Sequence, residues 1–443
     1  MQIRLSDHFT YRRLFRFVLP TVVMMIVTSV YSIVDGFFVS NFVGKNPFAA
    51  LNLIFPVLMA MGAIGFMIGT GGSALVAKTL GEGDRDRANR YFSMLIYVLI
   101  AIGILLSTAG FIAMRPLASL LGASDLIIDD CVLYGRTLAV GNTLFMLQNS
   151  FVNFLVAAER PKLGLWITVL AGVSNMILDF VLICVFPLGL FGAALATVIG
   201  QAIGALVPLI YFLRKNSSLL KLVRARVEWR ALGKACVNGS SEMLTNLAAS
   251  FIGMLYNFQL IKLAAEDGLA AYGVIMYVSF IFMAIFFGYA VGSAPLISYH
   301  YGAANTNELK NLFRKSLLLT GAVAVVMTAL CLSLAVPLAK IFVGYDAALT
   351  EMTAEGLRIY SLAFLLCGFN IFGSAFFTAL NNGLLSALIS FLRILVFETI
   401  AILLLPTILG LTGVWLAISV AEILALAVTV TLFIINRGKY HYA

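Results

Sequence analysis

The chain has 443 residues, of which 62% are hydrophobic and only 11% charged, where soluble domains carry about a quarter charged residues. A mean hydropathy of +1.03, spread along the whole length, excludes a soluble globular protein and leaves no stretch for a separate soluble domain. The formal net charge of +9 does not call for nucleic acid, because no basic patch is interleaved with stacking aromatics. It reads instead as a topology signal and as attraction to an anionic lipid bilayer.

Residues 1–10 lack the short apolar core and small-residue cleavage site of a signal peptide, so the first span is expected to be retained. About twelve apolar stretches follow, each long enough to cross a bilayer as a helix. They lie near 14–40, 50–77, 91–113, 133–158, 163–186, 189–213, 235–261, 270–298, 313–336, 357–380, 384–406 and 410–435. Span one contains Pro20, which removes a backbone hydrogen bond and predicts a bend. In span two, Gly69-Thr70-Gly71-Gly72-Ser73 has the glycines of a phosphate loop, but no Gly-Lys-[Ser/Thr] follows. Close helix packing explains it better. With no ATP-binding motif, the expected energy source is an ion gradient.

Further along, Cys131, Cys184, Cys236, Cys331 and Cys367 fall in or at the ends of apolar segments without CxxC spacing. They read as small packing residues. His8, His300 and His441 sit near ends or loops, which supports neither a metal cage nor a histidine proton relay. No His or Cys constellation lies at membrane depth, so an enzyme is not expected. The segment from Arg214 to Lys234 mixes cations with Leu219, Leu220, Leu222, Val223 and Val227. It is expected to lie along the inner surface and join residues 1–213 to residues 235–443.

Those two halves are copies. Residues 49–92 realign without a gap on 270–313, matching Ile54 to Ile275, Phe66 to Phe287, Gly71 to Gly292, Gly81 to Gly302 and Phe92 to Phe313. The same offset returns in Pro116-Leu117-Ala118 against Pro337-Leu338-Ala339, and in Gly189 and Gly192 against Gly410 and Gly413. Six spans per half is an even number, so both halves enter the membrane in the same sense. The expected fold class is therefore an all-α integral membrane protein with twelve transmembrane helices in two parallel-repeat six-helix lobes. Such repeats place the substrate site between them.

Orientation follows from Lys and Arg. With the N-terminus inside, 22 of the 29 fall on inner segments, so both termini are expected to face the cytoplasm in a plasma membrane.

Five carboxylates fall inside predicted spans: Asp35, Asp179, Glu242, Glu398 and Glu422. An ionised side chain at a helix centre costs roughly 2.5–3.5 kcal/mol on insertion scales, so these residues face a partner or a cavity. At 1.5 Å per residue, Asp35 and Asp179 both lie about 10 Å below the outer ends of spans one and five, and Thr197 about 12 Å down span six. Asn175 shares a helical face with Asp179. No Lys or Arg stands in the middle of spans one to six to neutralise the pair. Two carboxylates, an amide and a hydroxyl at one depth are oxygen ligands suited to H+ or Na+. In the C-terminal half, Arg393 has Glu398 and Glu422 as candidate partners in a structural ion pair. Glu242 is read equally as a cavity-lining or a headgroup-facing acid. Gln148, Asn149, Asn153, Tyr277 and Asn370 are candidate substrate-cavity residues. With many methionines beside them, they would suit varied amphipathic cations.

At this point the chain resembles the multidrug and toxic compound extrusion family, in its MepA-like bacterial branch, over essentially its whole length. The resemblance rests on Leu19-Pro20 followed by Val34-Asp35-Gly36-Phe37-Phe38, on Ala294-Pro295-Leu296-Ile297-Ser298, on Asn175-x3-Asp179, and on Pro187 to Thr197. Asn238-Gly239-Ser240-Ser241-Glu242 and Tyr299-His300-Tyr301-Gly302 point to the branch. It implies a drug/cation antiporter with two six-helix lobes and a cation site at Asp35, Asn175, Asp179 and Thr197. Another branch of the family uses a Glu in span seven and an Asp in span ten. Glu242 could match the first, but span ten has no Asp. The chain is expected to export amphipathic, mostly cationic compounds without a cofactor, and to work as a monomer. The competing expectation is a flippase for a lipid-linked or polyprenyl-phosphate precursor, which would need several cations around its cavity.

Overall fold

A computed structural model describes residues 3–443. Every regular element among them is helical. In chain order they are α1 (Tyr11–Val43), α2 (Lys45–Gly81), α3 (Arg85–Leu120), α4 (Ile128–Ala157), α5 (Pro161–Val185) and α6 (Gly189–Leu213). Then come α7 (229–264) and α8 (266–302), α9 (Thr306–Val343), α10 (Ala347–Ala379), α11 (Gly383–Leu409) and α12 (Leu411–Tyr440). The twelve predicted spans are present. Most are longer than their apolar cores, because a helix continues past the hydrocarbon boundary on polar residues that a hydropathy window rejects.

The copies agree in local chemistry as well as in count. Asp84 caps α3 by accepting the Arg87 N–H, and Asn305, at the repeat position, caps α9 by accepting the Glu308 N–H. Gly44 (φ 122°) turns α1 into α2, and Ala265 (φ 47°) turns α7 into α8 at the repeat position. Gly189 begins α6 and Gly410 immediately precedes α12, both with a φ of 57°. A left-handed backbone at these corners suits glycine. Ala265 adopts it with a Cβ, where the first copy has glycine.

Three helices widen into π-helical turns, at Val39–Val43 in α1, Phe180–Val185 in α5 and Phe391–Glu398 in α11. Such turns leave carbonyls poorly paired and often accompany functional residues. The second begins directly after Asp179, and the third ends on Glu398. α1 continues helical through Pro20. The linker, expected to run to Lys234, is irregular from 214 to 228, with bends at 214 and 217–219, and α7 already begins at Trp229. It is pinned to α3: Asn89 accepts the Lys221 N–H at 2.9 Å, Ser93 accepts the Val223 N–H at 2.8 Å, and Arg85 donates to the Ser218 and Leu219 carbonyls.

The lobes meet over glycines. A Cβ on Gly239 of α7 would strike the Met67 carbonyl of α2, and one on Gly71 would strike Ala235 and Gly239. The pseudo-symmetric contact sets Gly292 of α8 against Val18 and Thr21 of α1. Gly81 and Gly302, repeat mates, each lie against the other lobe's backbone, at Tyr299 and Lys78. The Gly69–Ser73 run is thus a packing surface, because Gly69 also admits Ser150 and Asn153 of α4. These contacts lie toward the end of the molecule that carries both termini. There residues 3–10 straddle the lobes: Glu159 accepts the Leu5 N–H at 2.6 Å, and Glu308 accepts the Phe9 N–H at 2.9 Å.

Candidate functional site

Four helices of the N-terminal lobe converge on Asp35. On α1, Tyr31 stands one turn before Asp35, and on α5, Asn175 stands one turn before Asp179, so each helix presents a matched pair on one face. Gly172 lets α5 approach the Tyr31 ring: a Cβ there would sit 2.9 Å from a ring carbon. Gly200 does the same for α6 against Asn175, where a Cβ would lie 3.2 Å from the Asn175 Cβ. Asp35 and Asp179 thereby come within hydrogen-bonding reach of one another.

Several buried oxygens of this cluster accept from no donor among the described residues. Asp179 is wholly buried, and neither of its carboxylate oxygens has a donor among the described residues. The same holds for Asp35 Oδ1, Asn175 Oδ1 and Gln201 Oε1. Thr197, one turn before Gln201, donates its hydroxyl to the Ala193 carbonyl at 3.1 Å and keeps its lone pairs available. Unmatched buried acceptors are costly, about 1–3 kcal/mol each and more for charged groups. The chamber therefore fits an occupant that is positive: a proton shared between the carboxyls, or a hard cation taking oxygen ligands. Among the described residues no group of three or more His, Cys, Asp and Glu exists to hold a transition metal.

The structure adds residues that the sequence did not single out. The Tyr31 hydroxyl lies near Gln148 of α4. Tyr134, buried on α4, lies within electrostatic reach of both acids. Gln201 of α6 faces α4, where a Cβ on Gly141 would lie 3.1 Å from its Oε1. Tyr31 did carry a usable sign, its place four residues before Asp35.

The candidate cavity residues are dispersed. Gln148 belongs to the acid chamber, packed over Gly204. Asn149 and Asn153 donate to carbonyls of their own helix, at 2.8 and 3.1 Å. Tyr277 is exposed and stacks on Phe342 with ring centroids 6.1 Å apart. Asn370 is fully buried in a closed network: it donates to Glu422 Oε2 at 2.7 Å and accepts from Thr429 at 2.8 Å. Of the two acids offered to Arg393, Glu422 makes the ion pair, at 2.6 Å. Glu398 instead accepts from Tyr256 at 3.3 Å. Glu242 is half-buried on α7 within electrostatic reach of Arg393.

Two duplicated six-helix lobes that span a membrane, meet over glycines and hold buried acids form a small-molecule transporter. The MatE family model matches residues 20–181 and again 243–404, so it recognises both copies. The chain belongs to this family of multidrug efflux transporters. It is similar to the multidrug export protein MepA of Staphylococcus aureus (strain NCTC 8325 / PS 47), 25% identical over 435 residues, which covers 96% of this chain and 94% of that protein. It is likewise similar to MepA of Staphylococcus saprophyticus, 24% identical over 434 residues with the same coverage. Its fold is shared with a solved outward-facing multidrug resistance MATE family transporter, at a TM-score of 0.92 and 21% identity over 98% of each chain.

Proposed function

We propose that the chain is a cation-coupled antiporter. It exports amphipathic, mostly cationic organic compounds across the plasma membrane by alternating access, in exchange for inward-moving H+ or Na+. The observation that carries this reading is the opposition of Asp35 and Asp179 in a chamber rich in acceptors and without a Lys or Arg. Asn175 and Thr197 add an amide and a hydroxyl oxygen to the same ion. With both termini in the cytoplasm, lobes that meet at the termini end correspond to the outward-facing state. Cation binding from outside then acts on α1 and α5 at the π-helical turns beside the acids. The coupling is as large as the difference in ion affinity between the two states. A flippase for a lipid-linked precursor would need free cations at membrane depth. Arg393 is held by Glu422, and Arg136 donates to the Phe111 carbonyl.

The test is transport in proteoliposomes with an H+ or a Na+ gradient imposed separately. Efflux of ethidium is expected to follow one gradient, and to be lost in Asp35→Asn and in Asp179→Asn. Unchanged efflux in both variants would overturn the site.

A further inference from the structure

The C-terminal lobe has its own charge imbalance. Glu242 of α7, Glu398 of α11 and Glu422 of α12 share a single cation, Arg393. That guanidinium is committed to one oxygen of Glu422, with Nε at 2.8 Å and Nη2 at 2.6 Å. The other oxygen takes the Asn370 amide, and Asn370 is closed in turn by Thr429. Glu398 is left with the Tyr256 hydroxyl, 3.3 Å from Oε1, as its hydrogen-bond donor among the described residues. Tyr256 is 1% exposed, its ring stacked parallel on Tyr272 of α8 at 5.0 Å. The titratable and charged groups around Glu398 are Tyr256 on α7, Tyr272 on α8, Tyr360 on α10, Arg393 on its own helix and Glu422 on α12. Two hydroxyls beside this network are buried without a partner among the described residues: Thr399, adjacent to Glu398, and Ser419, 6% exposed and one turn before Glu422.

The repeat gives this arrangement a meaning. Tyr256 stands on α7 where Asp35 stands on α1. Gly192 packs against Leu182 near the end of α5, and its mate Gly413 packs against Leu405 near the end of α11. Seven residues before Leu182 is Asn175, and seven before Leu405 is Glu398. The same two positions that hold an acid and an amide in the first lobe hold a phenol and an acid in the second. Where α1 carries Asp35, α7 carries a phenol, while α11, like α5, carries an acid, and a π-helical turn ends on it.

We propose that Tyr256 and Glu398 form a second proton-binding site, in the C-terminal lobe, separate from the Asp35–Asp179 pair. A carboxylate there has a phenol and no free cation, inside a bilayer where an unpaired charge is costly. Glu398, half-buried, takes a proton that originates in water to become a carboxylic acid, with the Tyr256 hydroxyl donating to its carbonyl oxygen. Release returns that proton to water. The site works whichever ion the first lobe takes.

The experiment is pH-difference infrared spectroscopy on the purified full-length protein in lipid nanodiscs, read in the carboxylic acid C=O region. One band is expected to vanish in Glu398→Gln, to shift in Tyr256→Phe, and to survive in the double variant Asp35→Asn/Asp179→Asn. A spectrum unchanged by Glu398→Gln would overturn the proposal, and so would loss of every band in the Asp35→Asn/Asp179→Asn variant. Should Glu398→Gln fail to fold, Tyr256→Phe decides alone: an unshifted spectrum overturns it. A double variant that keeps every band, while Glu398→Gln loses one, would count against the first-lobe site only.

Discussion

Arg393 directs both Nε and Nη2 at a single oxygen of Glu422, leaving the second oxygen to Asn370. The pair is nearly inaccessible, with side-chain exposures of 10% and 3%. Breaking a buried pair from one side leaves an uncompensated charge, which costs about 3–5 kcal/mol, whereas replacing both partners with apolar residues is often neutral. Arg393→Met and Glu422→Leu are each expected to lower the thermal midpoint sharply in detergent. The double variant should recover most of the loss. Strict additivity of the two single effects would show that the pair does not act as a unit.

A carboxyl pair whose buried oxygens accept from no donor among the described residues is a place where an amide improves folding. In Asp179→Asn, the new NH2 can donate to Asp35 and one negative charge is gone. The predicted stability change is a gain of about 1–3 kcal/mol, seen as a raised melting temperature, while coupled efflux is lost. The same assay separates the two ions. If the chamber takes Na+, exchanging choline chloride for NaCl at fixed ionic strength raises the wild-type midpoint and leaves Asp179→Asn unmoved. If it takes H+, the midpoint responds to pH and not to Na+.

Periodicity and depth were enough to put Asp35, Asn175 and Asp179 at one level, because an acid in an apolar span is conspicuous in any hydropathy profile and helix rise fixes its level. The duplication likewise revealed the lobes, down to corner residues such as Gly189 and Gly410. What hydropathy does not encode is rotation. Whether Arg393 met Glu398 or Glu422 depended on which way α12 faces α11. Tyr31 and Tyr134 looked like ordinary aromatic residues until α1, α4 and α5 were placed together. Asn370 illustrates the converse: a polar residue in a span, taken as cavity lining, is satisfied inside the lobe by Glu422 and Thr429. The irregular linker escaped for a different reason, since its Lys221 and Val223 N–H groups rest on Asn89 and Ser93, which lie far away in sequence.

Backbone contact at Gly239 and Gly71 makes the lobe seal sensitive to a single methyl group. Gly239→Ala would drive a Cβ into the Met67 carbonyl, and overpacking of this kind typically costs 1–3 kcal/mol. That penalty falls on the closed termini end alone, so the population should shift toward the state open there, by tenfold per 1.4 kcal/mol. Spin labels at Asp86 and Asn307, exposed repeat mates near that end, would report it. Electron–electron distance distributions should move to longer values in Gly239→Ala. An unchanged distribution would mean that the seal does not limit opening.

Residues 3–10 form a strap across the same seam, and their hold is measurable. Leu5 and Phe9 are fully buried. Glu159 on the α4–α5 corner takes the Leu5 N–H, while Glu308 on α9 takes the Phe9 N–H and, at 2.6 Å, the His8 ring. Lys315 and Asn311 both donate to the Phe9 carbonyl. Burying two large apolar side chains contributes about 1.5–3 kcal/mol each, and the strap connects loops from opposite lobes, so it favours the state in which those loops are close. Phe9→Ala is therefore expected to lengthen the same spin-label distances and to raise the rate of substrate release toward the termini side. Glu308→Gln, which keeps an acceptor for the Phe9 N–H but removes the charge facing His8, should produce a smaller shift in the same direction. A strap that only stabilises the fold would lower the melting temperature in both variants and leave the distance distributions where they were.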